Sequence, residues 1–548
     1  MRPRRTLNRL QLGPVVGHTD DTTAKVWIQV LDDPADYKLR VPGAGLFDFV
    51  STENGLLEFR TGIARAVGLR PDFIYRYSVL RRGRRVPGAS GTFRTMPEPS
   101  SMAPIVFCVV SCNTLSVDGV WAELGEFIKE AKPSFLLMVG DQVYIDEDEP
   151  NIFKLHYDSD SATRRRALAE KYRLSWSRKV VQPVLANIPT YMVWDDHDIR
   201  DGWGSLASDS VTLATKFPRG ARIFERATAF FEDCRDVYWH FQACHNPLLG
   251  DIADPTLPNY IKDPPAGGPK RAMPFVFRCG RVVVLMTESR TERDVFRKEF
   301  PILGSEQWEF IDKVFANLAA DVETLVLVTP TPIASIDPNG QTMKLMGDRT
   351  DDVEAFKRGD EEGVLDPHSS EDLTDLGLAI AGHKFTQLTG TPINLGIFKV
   401  SNIDEARDQW SHKFSRSEQR DLLRKAAKAR FTNRPGGNGR ELIFLSGDIH
   451  VGCIFDIAMS DPDYKIISLT SSGISAKQEV KGDLFVGSFV DEDFKVASGI
   501  RSTLREIIPD FNFGVVQVLP TGSGAEIIAV VAHEGNAFAA GFDISKLI

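Results

Sequence analysis

Four continuous apolar runs, each ending in residue types that bind metals, constrain the fold of this chain more than any other feature. An uninterrupted apolar run of this length is typical of a strand buried on both faces, in a sheet covered by helices. Residues at the carboxyl ends of neighbouring strands meet at one edge of such a sheet. The polar residues at these ends are Cys112, Asp141, Tyr144, Asp195, Asp196, His197, Asp198, Asp448 and His450. Their repetition predicts a centre for more than one metal ion.

Asp141 and Tyr144 form the first pair of candidate ligands. Gly140 lets the chain turn at the strand end, and the i, i+3 spacing can return both side chains to one point. A carboxylate there can bridge two cations, while a phenolate is a hard oxygen ligand suited to a ferric ion. Taken alone, the same residues also fit an ordinary Gly–Asp turn beside a half-buried tyrosine.

The run at 195–198 places three carboxylates around one imidazole. Such charges repel one another strongly unless cations compensate them. We therefore expect Asp196 to bind a metal and His197 to donate a proton to the substrate oxygen or leaving group, with Asp195 or Asp198 orienting the imidazole. The alternative is a solvated acidic loop.

The remaining candidates are ambiguous when taken one at a time. Asp448 and His450 lie on the same side of an extended segment, although a core histidine at a strand end would look alike. Cys112 is either a thiolate ligand or a small buried hydrophobe, and its position at the same sheet edge favours the ligand. Arg290 follows another buried strand, and its planar fork suits phosphate oxygens, but surface pairing with glutamate is equally compatible. The Gly-linked turn Ser471-Ser472-Gly473 follows a strand and is weak evidence for any function.

Composition narrows the class of protein. A net charge of −10 over 548 residues argues against a general binder of nucleic acid or anionic membranes, and no segment approaches the roughly 18 apolar residues that span a bilayer. The six cysteines form no CxxC pair. Arginines open the chain, but Gln11, Gly13 and Pro14 follow before the apolar region of an export signal can form. As the chain stands we therefore expect a cytoplasmic protein, or a periplasmic or secreted one if a leader was removed.

The pattern of apolar and polar residues changes near residue 98. Before it, short alternating strands separated by Gly and Pro turns predict a small β-sandwich over 1–98. From 103 to 548, buried strands alternate with helices, which predicts an α/β catalytic domain. Two weakly patterned segments, near 243–272 and 335–375, are expected to be insertions or lids.

Taken in order, these motifs resemble the alkaline phosphatase D family, the PhoD-like phosphatases of the calcineurin-like metallophosphoesterase superfamily. The matching residues and segments are 13–17, Trp27, 75–77, 91–95, 111–112, 140–144, 194–198, 303–304 with 307–308, and 447–450. The resemblance implies an α/β fold, a four-layer αββα metallophosphoesterase sandwich, preceded by a small all-β domain of fibronectin- or immunoglobulin-like form.

The resemblance also implies a division of the metal ligands. The implied ligands of a ferric ion, Fe3+, are Cys112, Asp141, Tyr144 and His450. The implied ligands of a second, divalent ion are Asp141, Asp196 and Asp448. This second ion is expected to be Ca2+, with Mn2+, Mg2+ or Zn2+ as alternatives, and His197 corresponds to the catalytic histidine beside the metals.

The resulting hypothesis is a metal-dependent phosphoesterase acting on phosphomonoesters, phosphodiesters or both. Two cations would lower the pKa of a bound water, so that a metal-bound hydroxide attacks the phosphoryl group in line. His197 and Arg290 would stabilise the developing charge. The expected partner is a phosphoester substrate, with no nucleic-acid binding beyond a possible substrate and no membrane span. The alternatives are a phospholipid- or nucleotide-directed phosphodiesterase, and a non-catalytic binding or scaffold protein with a vestigial metal site.

Overall fold

The computed structural model describes residues 10–52, 59–248, 251, 272–346, 351–365, 405–434, 438–476, 490–522 and 524–533. Its strands in this part of the chain form three sheets. The first sheet pairs in the order β1-β2-β5-β4-β3-β6-β7. Its strands are β1 Leu10–Thr19, β2 Ala24–Val30, β3 Tyr37–Val41, β4 Gly45–Ser51, β5 Thr61–Ala66, β6 Ile74–Arg81 and β7 Arg84–Arg94. The prediction of an all-β N-terminal part is confirmed.

The second and third sheets follow in the chain. The second sheet pairs in the order β10-β9-β8-β19-β20 and the third in the order β11-β12-β13-β14-β16-β15-β18-β17. Their strands are β8 Ile105–Val110, β9 Phe135–Val139, β10 Thr190–Val193, β11 Phe275–Cys279, β12 Val282–Met286, β13 Thr324–Val328, β14 Glu441–Ser446, β15 Gly452–Ser460, β16 Asp463–Ser471, β17 Asp493–Ala497, β18 Ile500–Ile508, β19 Asn512–Pro520 and β20 Ala525–His533. Parallel pairing joins β8, β9 and β10, and also β12, β13, β14 and β16.

Helices connect these strands. Within the described residues they are α1 Trp121–Ala131, α2 Ile152–His156, α3 Ser161–Trp176, α4 Gln182–Leu185, α5 Val211–Lys216, α6 Ala221–Phe241, α7 Gly304–Ala316, α8 Gln341–Leu345, α9 Asp351–Arg358, α10 Glu362–Leu365, α11 Glu405–Asp408 and α12 Arg416–Ala429. Capping residues begin several of them: the Asp160 carboxylate accepts the Thr163 N–H at the start of α3. No helix of these ranges is both long and apolar enough to cross a bilayer.

Alternate residues of the buried strands face opposite layers. On β19, the Phe513 ring lies 5.9 Å from Phe127 of α1, whereas Gly514 faces Leu469 of β16 in the third sheet. On β12, one set of residues joins the core between the two sheets, namely Val282, Val284 and Met286. The other set joins the core beneath α7 and α12, namely Val283 and Leu285. The chain is thus an α/β protein in which two sheets pack face to face between helices, which confirms the predicted fold class.

The first sheet packs against the α/β part through Trp27 of β2. This side chain is fully buried, its ring lies 5.6 Å from Phe241, and its Nε1–H donates to the His240 carbonyl at 2.9 Å. β7 ends at Arg94 and β8 begins at Ile105. The domain boundary between 98 and 103 stays a prediction.

Several elements differ from what the pattern indicates. The segment 335–375 contains α8, α9 and α10 where it is described, while most of 243–272 lies outside the described residues. The sequence pattern also misses β18, because its residues alternate between buried and exposed rather than forming a continuous apolar run. Continuous apolar runs identify strands covered on both faces, and this strand is not one of them.

Candidate active site

Four strand ends bring the predicted ligands to one edge of the two facing sheets. Cys112 follows β8, Asp141 follows β9, Asp196 follows β10, and Asp448 follows β14. β8, β9 and β10 are parallel neighbours, so their carboxyl ends lie side by side. The site therefore sits where parallel strands pass into loops, as the sequence pattern predicts.

Four carboxylates meet at this edge and are called the acidic cluster: Asp141, Asp195, Asp196 and Asp448. Each offers one oxygen, and these oxygens all lie within 4.8 Å of one another. Asp195 Oδ2 is buried and has no hydrogen-bond partner among the described residues. Buried carboxylates this close must bind protons or cations to relieve their repulsion. An acceptor without a donor inside the cluster favours a cation, and hard divalent ions prefer carboxylate oxygens.

The pKa values of the acidic cluster reflect this crowding. Burial raises the pKa of Asp141 well above its ordinary value, and the negative charges of Cys112 and Asp196 add to the effect. The pKa of Asp448 is raised well above its ordinary value too, first by burial and then by Asp196 and Asp195. The ionised cluster is therefore unfavourable without a compensating positive charge.

Arg290 supplies part of the positive charge that compensates the acidic cluster. Its side chain is fully buried. The guanidinium donates to Asp195 Oδ1 through Nε and to Asp408 Oδ1 at 2.5 Å through Nη1, and Nη2 lies 3.4 Å from Asp196 Oδ2. Burial by itself raises the pKa of Asp196, but the charges of Arg290 and His197 and the Gly202 N–H together outweigh it, and the pKa falls to about 2. A contact of Arg290 with phosphate stays a prediction, and these contacts favour a role in holding the carboxylates.

The predicted ferric ligands lie on the other side of Asp141. Tyr144 Oη lies 2.7 Å from His450 Nε2, within hydrogen-bond distance, and Cys112 Sγ lies 3.5 Å from Asp141 Oδ2. Burial raises the pKa of Tyr144 well above its ordinary value. One thiol, one phenol and one imidazole beside a shared carboxylate form a donor set that fits a ferric ion. The assignment of each ligand to a particular ion stays a prediction.

His197 stands beside both groups of ligands. Its ring stacks on Tyr144 with centroids 4.2 Å apart, and Nδ1 lies 3.0 Å from Asp146 Oδ1. Burial lowers the pKa of His197, but the Asp146 carboxylate and other acidic neighbours outweigh burial and raise it well above its ordinary value. The carboxylate that orients the imidazole is thus Asp146, and the expectation that Asp195 or Asp198 would do so is wrong.

Asp198 has a different role in the loop. Its carboxylate accepts the Tyr172 hydroxyl at 3.0 Å and the Gln242 amide at 2.9 Å. It also accepts the backbone N–H groups of Gln142 and Asp195. The bond from Gln142 ties the loop after β10 to the loop after β9, and the four donors together occupy the Asp198 carboxylate.

Sequence reasoning missed three residues of this region. Asp146 had a signal, because it belongs to the acidic run directly after Tyr144. Asp408 had none, since it contacts Arg290 from 118 positions further along the chain. Ser472 contacts Cys112 and His450 from a turn that indicates nothing in the sequence.

Comparison with known proteins agrees with this geometry. The sequence profile of the PhoD-like phosphatases matches residues 107–233, the stretch that carries the strand ends of β8, β9 and β10. In this stretch the chain is similar to the PhoD-like phosphatases.

Individual relatives extend the comparison. Purple acid phosphatase 13 of Arabidopsis thaliana is 27% identical over 163 residues, which cover 27% of this chain and 30% of that protein. The chain thus spans less than a third of that relative's length. The solved structure of PhoD aligns with a TM-score of 0.53 at 13% identity, over 97% of this chain and 92% of that one, which shows a shared fold. A purple acid phosphatase from yellow lupin, Lupinus luteus, aligns with a TM-score of 0.47 at 10% identity, over 96% and 72%.

Proposed function

We propose that this chain is a metal-dependent phosphoesterase that hydrolyses phosphomonoesters, phosphodiesters or both. The observation that carries the proposal is the convergence of the acidic cluster with a thiol, a phenol and an imidazole at one sheet edge. The match of residues 107–233 to the PhoD-like phosphatases supports the same reaction class. Carboxylates crowded in this way gain stability when they bind cations.

Two ions of different character would occupy the site. We propose that Fe3+ is held on the side of Cys112, Tyr144 and His450, and that a divalent ion, foremost Ca2+, is held by Asp196 and Asp448. Asp141 would be shared, because its carboxylate faces both the Cys112 sulfur and the acidic cluster. When bound, the ions polarise the phosphoryl group and lower the pKa of a water molecule for in-line displacement.

His197 would act on the leaving group. Its Nδ1 is occupied by Asp146, which leaves Nε2 as the nitrogen to act on substrate. The acidic neighbours keep the ring protonated, so Nε2–H can donate a proton to the leaving oxygen. The stacking on Tyr144 fixes the plane of the ring. His197 is therefore proposed as the catalytic acid.

Arg290 would act through the carboxylates it holds. Its guanidinium lies against Asp195, Asp196 and Asp408. These contacts support a role in fixing the orientation of the acidic cluster and in offsetting its charge. We therefore propose Arg290 as a positioning residue, and any stabilisation of the phosphoryl charge would act over a distance.

The proposal is tested by the hydrolysis of aryl phosphate monoesters and diesters. We expect Asp196→Ala to lose at least about 100-fold in kcat/KM, because a ligand of the metals is removed. Asp312→Asn, which changes an exposed carboxylate on α7, is the control. Undiminished activity of Asp196→Ala would contradict the role of the acidic cluster.

The ferric assignment has a separate test. A bond from Tyr144 or Cys112 to Fe3+ produces a visible charge-transfer band, and we expect Tyr144→Phe and Cys112→Ser each to remove their part of it. Metal content is measured on the same samples. A colourless, iron-free and fully active enzyme would leave the phosphoesterase proposal standing and would contradict the metal assignment.

A further inference from the structure

Ser472 lies directly after β16, at the same sheet edge as the predicted ligands, and is fully buried. Its hydroxyl oxygen is 3.0 Å from Cys112 Sγ and accepts the His450 backbone N–H at 2.6 Å. One small side chain thus contacts two of the residues proposed to hold iron, which are far apart in the sequence. In sequence, Ser472 is 360 positions from Cys112 and 22 from His450.

The direction of these hydrogen bonds follows from the number of protons. The His450 N–H can only donate, so Ser472 Oγ is the acceptor of that bond. When Cys112 is a thiolate, as a metal ligand must be, its sulfur can only accept, so the hydroxyl proton of Ser472 is donated to that sulfur, 3.0 Å away. A second hydroxyl, that of Ser111, lies 3.1 Å from the same sulfur but is also 3.0 Å from the Ser471 carbonyl. Ser472 is therefore the donor committed to the sulfur.

The backbone around Ser472 is held tightly enough to fix its hydroxyl. The Ser472 carbonyl accepts the Asn512 side-chain amide at 3.1 Å, and the Gly473 carbonyl accepts the Asn512 backbone N–H at 3.0 Å. Gly473 has a φ of 130°, and a Cβ there would come within 2.5 Å of the Ala476 carbonyl oxygen. The turn therefore requires glycine, and its shape aims Ser472 at the sulfur.

We infer that Ser472 is a positioning residue of the metal centre, which joins Cys112 to His450 and donates a hydrogen bond to the Cys112 sulfur. The inference rests on the proposed function, in which these two residues hold Fe3+. A hydrogen bond to a metal-binding sulfur withdraws electron density from it, and this tunes the reduction potential of the metal. Outer partners of ligands also orient them, and their loss typically lowers metal affinity roughly 10- to 100-fold.

The test compares three variants of the full chain with the wild type. Ser472→Ala removes the hydroxyl, and Ser472→Thr retains it. Ser475→Ala is the matched control, because Ser475 is a buried serine of the same segment whose hydroxyl contacts Asn113 and Thr114 rather than the ligands. Fe3+ is supplied as its nitrilotriacetate complex, and retention is measured against a competing chelator. Thermal unfolding of the metal-free proteins checks that each variant folds.

We expect Ser472→Ala to bind Fe3+ roughly 10- to 100-fold more weakly. Its sulfur-to-iron charge-transfer band should move to longer wavelength, because the sulfur becomes the better electron donor. Ser472→Thr should restore both properties, and Ser475→Ala should match the wild type. If Ser472→Ala instead matches Ser475→Ala in affinity and spectrum, the inference is wrong.

Two further outcomes separate this inference from the proposed function. If the wild type and Cys112→Ser bind Fe3+ equally, the proposed metal assignment fails and the role of Ser472 fails with it. A measurement on wild-type protein alone avoids any dependence on folding of a variant: the iron–sulfur stretching band is recorded after Fe3+ loading in H2O and in D2O. A shift in D2O is expected from an O–H bond to sulfur, and an unshifted band would refute it.

Discussion

Four of the six residues predicted to bind metal have a positive backbone φ, in the region that favours glycine. The angles are 60° at Cys112, 54° at Asp141, 77° at Asp448 and 56° at His450. Non-glycine residues in this conformation cost about 1–3 kcal/mol each and persist where the surrounding structure enforces them, often at functional sites. The strain turns each side chain sharply at its strand end, so that four separate loops aim at one centre.

This strain predicts an unusual order of stability at Asp448. We expect the free energy of unfolding of Asp448→Gly to be about 1 kcal/mol higher than that of Asp448→Ala, because only glycine adopts the positive φ without a steric penalty. Both variants lose the carboxylate. The measurement is urea unfolding in the presence of a chelator.

The control for this prediction is Asp421, an exposed residue of α12. In a helix interior, glycine is less stable than alanine by about 1 kcal/mol, so the order of the two variants should reverse there. The same order at both positions would contradict the argument from backbone strain.

The proton of His197 predicts a dependence on the leaving group. We expect His197→Ala to lower kcat about 100- to 10,000-fold for a phenyl or alkyl phosphate ester, which needs protonation of its leaving oxygen. The loss should be much smaller for a 4-nitrophenyl ester, which leaves readily as an anion. Metal content equal to that of the wild type is required for the comparison, and equal losses for both esters would argue against a catalytic acid.

At the scale of elements, Glu418 of α12 connects two helices beneath the third sheet. Its carboxylate accepts the Ile302 and Leu303 N–H groups at 2.8 and 3.1 Å, at the start of α7, and the Trp308 indole N–H at 2.6 Å. The first N–H groups at a helix start have no partner within the helix. A buried acid therefore supplies, from a distant segment, what a capping residue usually supplies locally.

This contact predicts a large loss of stability on its removal. We expect Glu418→Ala to lower the free energy of unfolding by roughly 3 kcal/mol or more, because three buried donors lose their acceptor. Glu418→Gln, which keeps one acceptor oxygen, should lose less. Glu309→Ala on the exposed face of α7 is the control, and a loss equal to that of the control in denaturant unfolding would contradict the prediction.

At the scale of the whole molecule, three histidines line the contact between the first sheet and the α/β part: His18 and His245 are buried, and His240 is half-buried. His18 lies 3.2 Å from the Tyr191 hydroxyl, His240 lies 3.1 Å from Thr52, and His245 packs against Gly17. Burial lowers their pKa values to about 4, about 4 and about 3 respectively. The contact thus holds three imidazoles in the neutral form.

The sign of the resulting pH dependence follows from proton binding. In the unfolded chain these histidines take up protons near pH 6.5, whereas in the folded protein they do so only near pH 3 to 4. The unfolded state therefore binds more protons as the pH falls below about 6.5, and stability present above that pH is lost toward pH about 4.

His245→Gln tests this dependence. We expect the free energy of unfolding of the wild type to fall with decreasing pH across this window, and the variant to fall less steeply by up to about 1.4 kcal/mol per pH unit, the share of one proton. Urea unfolding at several pH values provides the slope. His156→Gln, on α2 and outside the contact, is the control, and an equal slope in wild type and His245→Gln would refute the assignment.

The sequence by itself determined the buried strands and which residues stand at their ends. Continuous apolar runs identify β8, β9, β10 and β14, because a strand covered on both faces leaves no room for polar positions. The ligand types directly after those runs then locate the site, since parallel strands end at a common edge. Both signals are local, and local patterns are what a single sequence records.

Only the tertiary structure decided which side chains support the ligands. Asp146 rather than Asp195 or Asp198 orients His197, and Ser472 contacts Cys112. Arg290 is enclosed by carboxylates instead of lying open. The physical reason is the same in each case: these bonds join loops that meet only when two sheets pack face to face, and no periodicity in the chain encodes which loops will meet.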